Sequence, residues 1–220
     1  MLKPVVIGVI DTGVDAGASV FEEHGVRGIG IRRVGNRYEY DSDFHDLGGH
    51  GTAMAARIQA FCETAQIYAV RIAQREGCGV AVKVQAQAMA MGIEWCVEHG
   101  IRIVNVSYNI AEAPSGGCLV RACREAHDNG TIIVAAYRKD EERCVYPAGF
   151  GTVIGVRRRD DLQPGQVAVF SEENHDLFAF GTSNSIACAQ VSAMVGRIHT
   201  VDDRYGLEEV FAFFREVAVP

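Results

Sequence analysis

Short, unbroken apolar runs recur along this chain, and each is followed by a stretch with helical spacing. "VVIGVI" (5–10), "IYAVRI" (67–72), "IRIVNVS" (101–107), "TIIVAA" (131–136) and "TVIGVR" (152–157) are six or seven residues long, with no sustained polar alternation. A strand that is apolar on both faces must be covered on both faces, which is the situation of a parallel sheet. Between and after the runs lie "GTAMAARIQAF" (51–61), "AVKVQAQAMAMGIEWCVEHG" (81–100), "CLVRACREAHDNG" (118–130), "SIACAQVSAMVGRIHTV" (185–201) and "GLEEVFAFFREV" (206–217). Gly100 and the "NG" at 129–130 supply helix stops. The alternation predicts an α/β fold with a mainly parallel central sheet and helices on both faces. No repeat, low-complexity tract or linker divides the 220 residues, so a single domain over 1–220 is expected.

Composition narrows the function. The net charge is −7, the pI is about 5.5, and no basic run exceeds "RRR" at 157–159, which argues against nucleic acid. The apolar run at the N-terminus, Val5–Ile10, is too short for a signal core, and nothing approaches a membrane span. A cytoplasmic protein with no membrane association is the expectation. The seven cysteines are odd in number, without a CxxC, and Cys62, Cys96, Cys123 and Cys188 fall in apolar helical patterns. They read as small buried thiols rather than disulfides or a zinc site.

In open parallel sheets functional groups gather at the carboxyl ends of strands. Asp11 directly follows the first strand, His50 opens the first helix, and serines at 183 and 185 open a late one. Asp…His…Ser is one of the chain orders in which a nucleophilic triad occurs. "DSDFHDLGGH" (41–50) gathers Asp41, Asp43, His45, Asp46 and His50, but its spacing fits no metal-ligand pattern, and it reads as a polar loop before His50. No metal and no cofactor are expected.

The local sequences extend the pattern. "VIGVIDTGVD" (6–15), "GHGTAMA" (49–55), "YAVRI" (68–72), "GIEWCVEHGIRIVNVS" (92–107) and "YPAGFGTVIGVR" (146–157) resemble, in order and over nearly the whole chain, segments of the subtilisin-like serine proteases. The resemblance implies a subtilisin-like α/β fold and peptide-bond hydrolysis, with Asp11, His50 and a serine as catalytic residues and a peptide or protein as substrate. The family's serine opens a helix reading S-M-A-x-P-H-V-A-G. From Ser185 the chain reads S-I-A-C-A-Q-V-S-A, which places Ala187 and Val191 in register; from Ser183 it is out of register by two. Ser185 is therefore the expected nucleophile, and the "GTS" at 181–183 is a decoy, with Ser183 a turn or cap residue.

Two segments depart from the family. Its oxyanion loop reads A-A-G-N; here Tyr137 stands at the Gly position and Arg138 at the Asn position. Asn184 and Arg138 are the candidate substitutes beside the Ser185 N–H. Its substrate segment S-L-G-G becomes "SYNI", so Ser107, Tyr108, Asn109 and Tyr137 are expected around a narrowed P1 pocket. The loop that carries calcium in many relatives is missing after the His helix. No propeptide before Met1 is expected. These features suit limited cleavage, or maturation, of a specific precursor. The readings from other classes are a pseudoprotease that binds peptides or acts as a scaffold, and a protease active only when a partner protein completes its cleft.

Overall fold

A computed structural model gives the structure, and it describes residues 3–76, 79–81, 86–110, 117–137, 145–171 and 174–220. In chain order the strands and helices are β1 (Val5–Asp11), β2 (Val26–Val34), β3 (Arg37–Asp41), α1 (His50–Phe61), β4 (Ala65–Arg71), β5 (Gln74–Glu76), β6 (Gly79–Ala81), α2 (Ala86–Glu98), β7 (Ile103–Val106), α3 (Cys118–Asp128), β8 (Ile132–Ala136), β9 (Val153–Arg158), β10 (Val167–Ser171), β11 (Asp176–Ala179), α4 (Asn184–Val201) and α5 (Leu207–Val217).

Among the described residues, one nine-stranded sheet runs in the order β10-β11-β9-β8-β7-β1-β4-β2-β3. Pairing from β11 through β9, β8, β7, β1 and β4 to β2 is parallel. Only the outer strands, β10 on β11 and β3 on β2, are antiparallel. The apolar runs of the sequence are the strands at the middle of this sheet. β1 shows why they lack alternation: Ile7 and Val9 face one core while Ile10 faces the other. The first core packs under α1, α4 and α5; the second packs under α2 and α3. Helices thus cover both faces, as the pattern predicts.

Residues 26–41 and 167–179 were not legible as strands from periodicity. β2 and β3 are exposed at half of their positions, fully buried at only two, and β2 is rich in Arg and Gly, so they carry little apolar signal. The helix expected over 81–100 is α2, Ala86–Glu98; residues 79–81 instead pair with β5.

One buried ionisable pair lies in the sheet away from its middle. The Tyr137 hydroxyl donates to both oxygens of Asp176, at 3.2 and 3.0 Å. The Arg157 guanidinium lies 4.4 Å over the Tyr137 ring. Burial pushes the Asp176 carboxyl up to about 6, against the opposing pull of the Tyr137 hydroxyl and the Arg157 charge. The native state therefore holds this proton to a higher pH than the unfolded chain does. The associated stability is present below the ordinary carboxylate value and is lost as pH rises through about 6, by on the order of 3 kcal/mol. The thermal midpoint of the wild type should fall across pH 4 to 7 (roughly the window of that shift), and Asp176→Asn should lack this part of the fall. Identical pH slopes in the two proteins would refute the linkage.

Candidate active site

β1 lies in the middle of the sheet, between β4 and β7, and its last residue is Asp11. The side chain is fully buried, at 0% exposure. A buried carboxylate is costly unless hydrogen-bonded. Asp11 Oδ1 accepts from the Thr12 N–H at 2.7 Å, and His50 Nδ1–H donates to Oδ1 at 2.8 Å and to Oδ2 at 3.0 Å. His50 is the first residue of α1, and its side chain keeps 37% exposure, so the ring is held on its Nδ1 side and open elsewhere.

The glycines around the pair are there for close approach. A Cβ on Gly51 would lie 2.1 Å from the Gly13 carbonyl and 3.0 Å from Asp11 Cβ. Gly13 has φ +106° and a Cβ there would strike the Phe44 and His45 carbonyls at 2.5 Å. Only glycine lets the first turn of α1 lie directly on the end of β1.

The Asp11 bond favours the charged imidazolium and raises the His50 pKa above its ordinary value; burial opposes this, and the Asp11 and Asp46 charges add to the rise. The Tyr108 ring stands edge-on to the imidazole, centroids 5.7 Å apart. Its phenol is pushed upward by burial and by the Asp11 and Asp46 charges, so it stays neutral.

α4 brings the serines. Ser183 is its N-cap: the backbone is extended and Oγ accepts from the Ile186 N–H at 3.2 Å. Ser185 stands in the first turn with its N–H at the positive helix end. Its Oγ makes no hydrogen bond to any described residue. One turn on, Cys188 Sγ lies 3.3 Å from Asn105 Oδ1 and 3.3 Å from the Val134 carbonyl, which seats this face of α4 over β7 and β8. Burial pushes the Cys188 thiol up, so it remains a neutral packing group. The helix start is fixed by Asn184. Its Oδ1 accepts from the Arg158 N–H and its Nδ2 donates to the Tyr137 carbonyl, both at 2.8 Å. That amide spans the carboxyl ends of β8 and β9. One further Nδ2 hydrogen remains after the Tyr137 bond.

With this geometry in place, comparison with known proteins is informative. The model of the subtilase family, peptidase family S8, matches residues 3–213. The chain belongs to the subtilase family. A thermostable alkaline protease of Halalkalibacterium halodurans is 31% identical over 141 residues, covering 60% of this chain and 37% of the relative. The chain thus spans little more than a third of the length of the curated relatives it matches. Among solved structures, the self-cleaved protease domain of PatA superposes with a TM-score of 0.76 at 18% identity, covering 100% of this chain and 91% of that one. The prenylagaramide maturation protease PagA gives 0.75 at 18% identity, covering 98% and 84%. Fervidolysin from Fervidobacterium pennivorans, a keratinolytic enzyme related to subtilisin, gives 0.74 at 20% identity, covering 99% and 39%, and this likeness shows a subtilisin-like fold.

Within this subtilase, the substrate-binding candidates occupy different settings. Ser107 is buried, and its Oγ accepts from Asn105 Nδ2 at 3.0 Å. Tyr108 and Asn109 are half-buried. The Tyr137 ring, 5% exposed, is turned inward onto Asp176. Arg138 lies outside the described residues. No group of three or more His, Cys, Asp or Glu able to hold a metal occurs among the described residues. No helix among them is long and apolar enough to cross a membrane.

A titration of His50 by NMR checks the electrostatics. Its midpoint should lie above the ordinary imidazole value of about 6.5. The matching stability is fully present below that value and is lost as pH rises through the raised pKa. Asp11→Asn should bring the midpoint down; an unchanged midpoint would show that Asp11 does not hold the imidazolium.

Proposed function

We propose that this subtilase is a serine endopeptidase whose triad is Asp11, His50 and Ser185. The observation that carries the reading is the fully buried Asp11 carboxylate bonded to Nδ1 of a half-open imidazole, on the same sheet edge as the start of α4. In the proposed reaction Ser185 Oγ attacks the scissile carbonyl while His50 Nε2 takes the hydroxyl proton. The C–N bond then breaks, and His50 returns that proton to the leaving amine. A water, deprotonated by His50, attacks the acyl-enzyme; the acyl C–O bond breaks, His50 gives the proton to Ser185 Oγ, and the acid leaves. Asp11 holds the Nδ1–H tautomer and stabilises the transient imidazolium.

Ser183 is a poor rival because its Oγ is already used as a cap. For the oxyanion, the Ser185 N–H is one proposed donor. The second is assigned to the remaining N–H of Asn184, whose amide is held rigidly by its two main-chain bonds. Arg138 is the alternative donor. Limited cleavage of a peptide or protein precursor is the proposed role. It is supported by the fold shared with a structure titled as a maturation protease and by the bulk of Tyr108 beside His50. The Ser185 hydroxyl bonds to none of the described residues, which favours a second reading, a peptide-binding pseudoprotease. Catalytic hydrogen bonds are often long before substrate binds, so an unbonded hydroxyl is compatible with the triad as well.

Fluorophosphonate labelling read by mass spectrometry separates them. The adduct should lie on Ser185 and vanish in Ser185→Ala and His50→Ala. Ser183→Ala should keep most activity and lose about 1 kcal/mol of stability as a lost cap. Asn184→Ala should lower kcat roughly 10- to 1000-fold with little change in KM. An adduct on Ser183, or full activity in Ser185→Ala, would overturn the assignment, and no labelling at all would favour the pseudoprotease.

A further inference from the structure

Four residues before His50, one carboxylate ties both sides of the site together. Asp46 Oδ1 accepts from Thr12 Oγ1 at 2.6 Å, Gly48 N at 2.9 Å and Gly49 N at 2.8 Å. Its Oδ2 accepts from Thr52 N at 2.8 Å and Thr52 Oγ1 at 2.5 Å. A carboxylate offers about four lone-pair directions, so this one is saturated. Thr12 follows Asp11 at the end of β1, and Thr52 stands in the first turn of α1, two residues after His50. Each hydroxyl also passes the connection on. Thr12 Oγ1 accepts from the Gly51 N–H and Thr52 Oγ1 from the Asp15 N–H, both at 2.9 Å. The loop is further joined to the strand end by Leu47 N to the Thr12 carbonyl and Val14 N to the Phe44 carbonyl.

We propose that Asp46 is a positioning residue: its carboxylate locks the end of β1 to the first turn of α1 and so fixes how Asp11 meets His50. The catalytic consequence rests on the protease reading above; the geometric claim stands without it. α1 has no side-chain cap from its own N-cap residue, Gly49, and Asp46 fills that place with a charge at the positive helix end. A helix cap alone would need only the bonds to the α1 turn. The bond to Thr12, across 34 residues of chain, has no capping purpose and reaches the residue beside Asp11.

The charge on Asp46 is secure. Burial alone would raise its carboxyl, but the bonds from Thr12, Thr52 and Gly48 together outweigh burial and hold it below its ordinary value. Asp46 is thus ionised wherever His50 titrates. The groups facing His50 are Asp11 from β1, Asp46 from its own loop and neutral Tyr108 from the segment after β7. Cys188 on α4, near enough to sense the Asp11 charge, is also neutral. Removing the Asp46 charge and loosening the Asp11 contact both act in one direction, toward a lower His50 pKa.

The test measures the His50 midpoint by NMR, kcat and KM on a peptide substrate, and the thermal midpoint. The proteins are the wild type, Asp46→Asn, Thr12→Val and Thr12→Ser. Asp46→Asn should lower the His50 midpoint and reduce kcat on the order of 100-fold with KM little changed, as expected of a misplaced catalytic pair. Thr12→Val should follow it, and Thr12→Ser, which keeps the hydroxyl, should restore most of what Thr12→Val loses. A fall in thermal midpoint with His50 midpoint and kcat unchanged would reduce Asp46 to a helix cap and overturn the proposal. If Asp46→Asn does not fold, the Thr12 pair decides, and equal behaviour of Val and Ser there overturns it. A wild type that hydrolyses nothing would sink the protease reading, while the titration arm would still judge Asp46.

Discussion

A carboxylate at the end of a central parallel strand, with no solvent access, has to be answered by donors placed with care. Asp11 is answered by its neighbour's N–H and by His50. Everything nearby follows from that requirement. The sheet order puts β1 between β4 and β7, where both faces are covered. α1 must start against the strand end, which glycine at 13 and 51 permits. Asp46 closes the same corner from outside, so the buried charge is met by an imidazole whose position is set from two directions.

The start of α4 is held by a separate device. Asn184 bonds only to main chain, at the ends of β8 and β9, while Asn105 reaches Cys188 and Ser192 from β7. The nucleophile candidate thus sits on a helix anchored by the half-buried amide of Asn184 and the buried amide of Asn105 rather than by charge. Such directional polar contacts specify a helix position more sharply than apolar packing does. Charge is concentrated on the Asp11–His50 side, neutral amides on the Ser185 side. This division suits the proposed transfer of the Ser185 proton to the imidazole.

Much of this was legible in the sequence, for identifiable reasons. The central strands announce themselves because two-sided burial forbids polar residues in them. Asp11 and His50 stand out because each is framed by glycines that close approach demands. The choice of Ser185 over Ser183 rests on helix register; the structure shows Ser183 as the N-cap, the other role open to it in the sequence. The outer strands β2 and β3 were hidden because partial exposure lets Arg and polar residues into them. Asp46 read as one acid in a polar loop because its decisive partner, Thr12, is 34 positions away in the chain. The inward turn of Tyr137 depends on Asp176, 39 positions further on, and no local pattern encodes that.

The central claim is that one sheet edge assembles Asp11, His50 and Ser185 into a single reacting unit. The most direct measurement is a crystal structure of the protein treated with a peptide boronate, which mimics the tetrahedral intermediate. The account predicts a covalent bond from Ser185 Oγ to boron, His50 Nε2 within hydrogen-bond distance of the adduct, and the Asp11–His50 contact unchanged. Boron bound to Ser183, or a boronate resting unbonded in the cleft with Ser185 turned away, would contradict it.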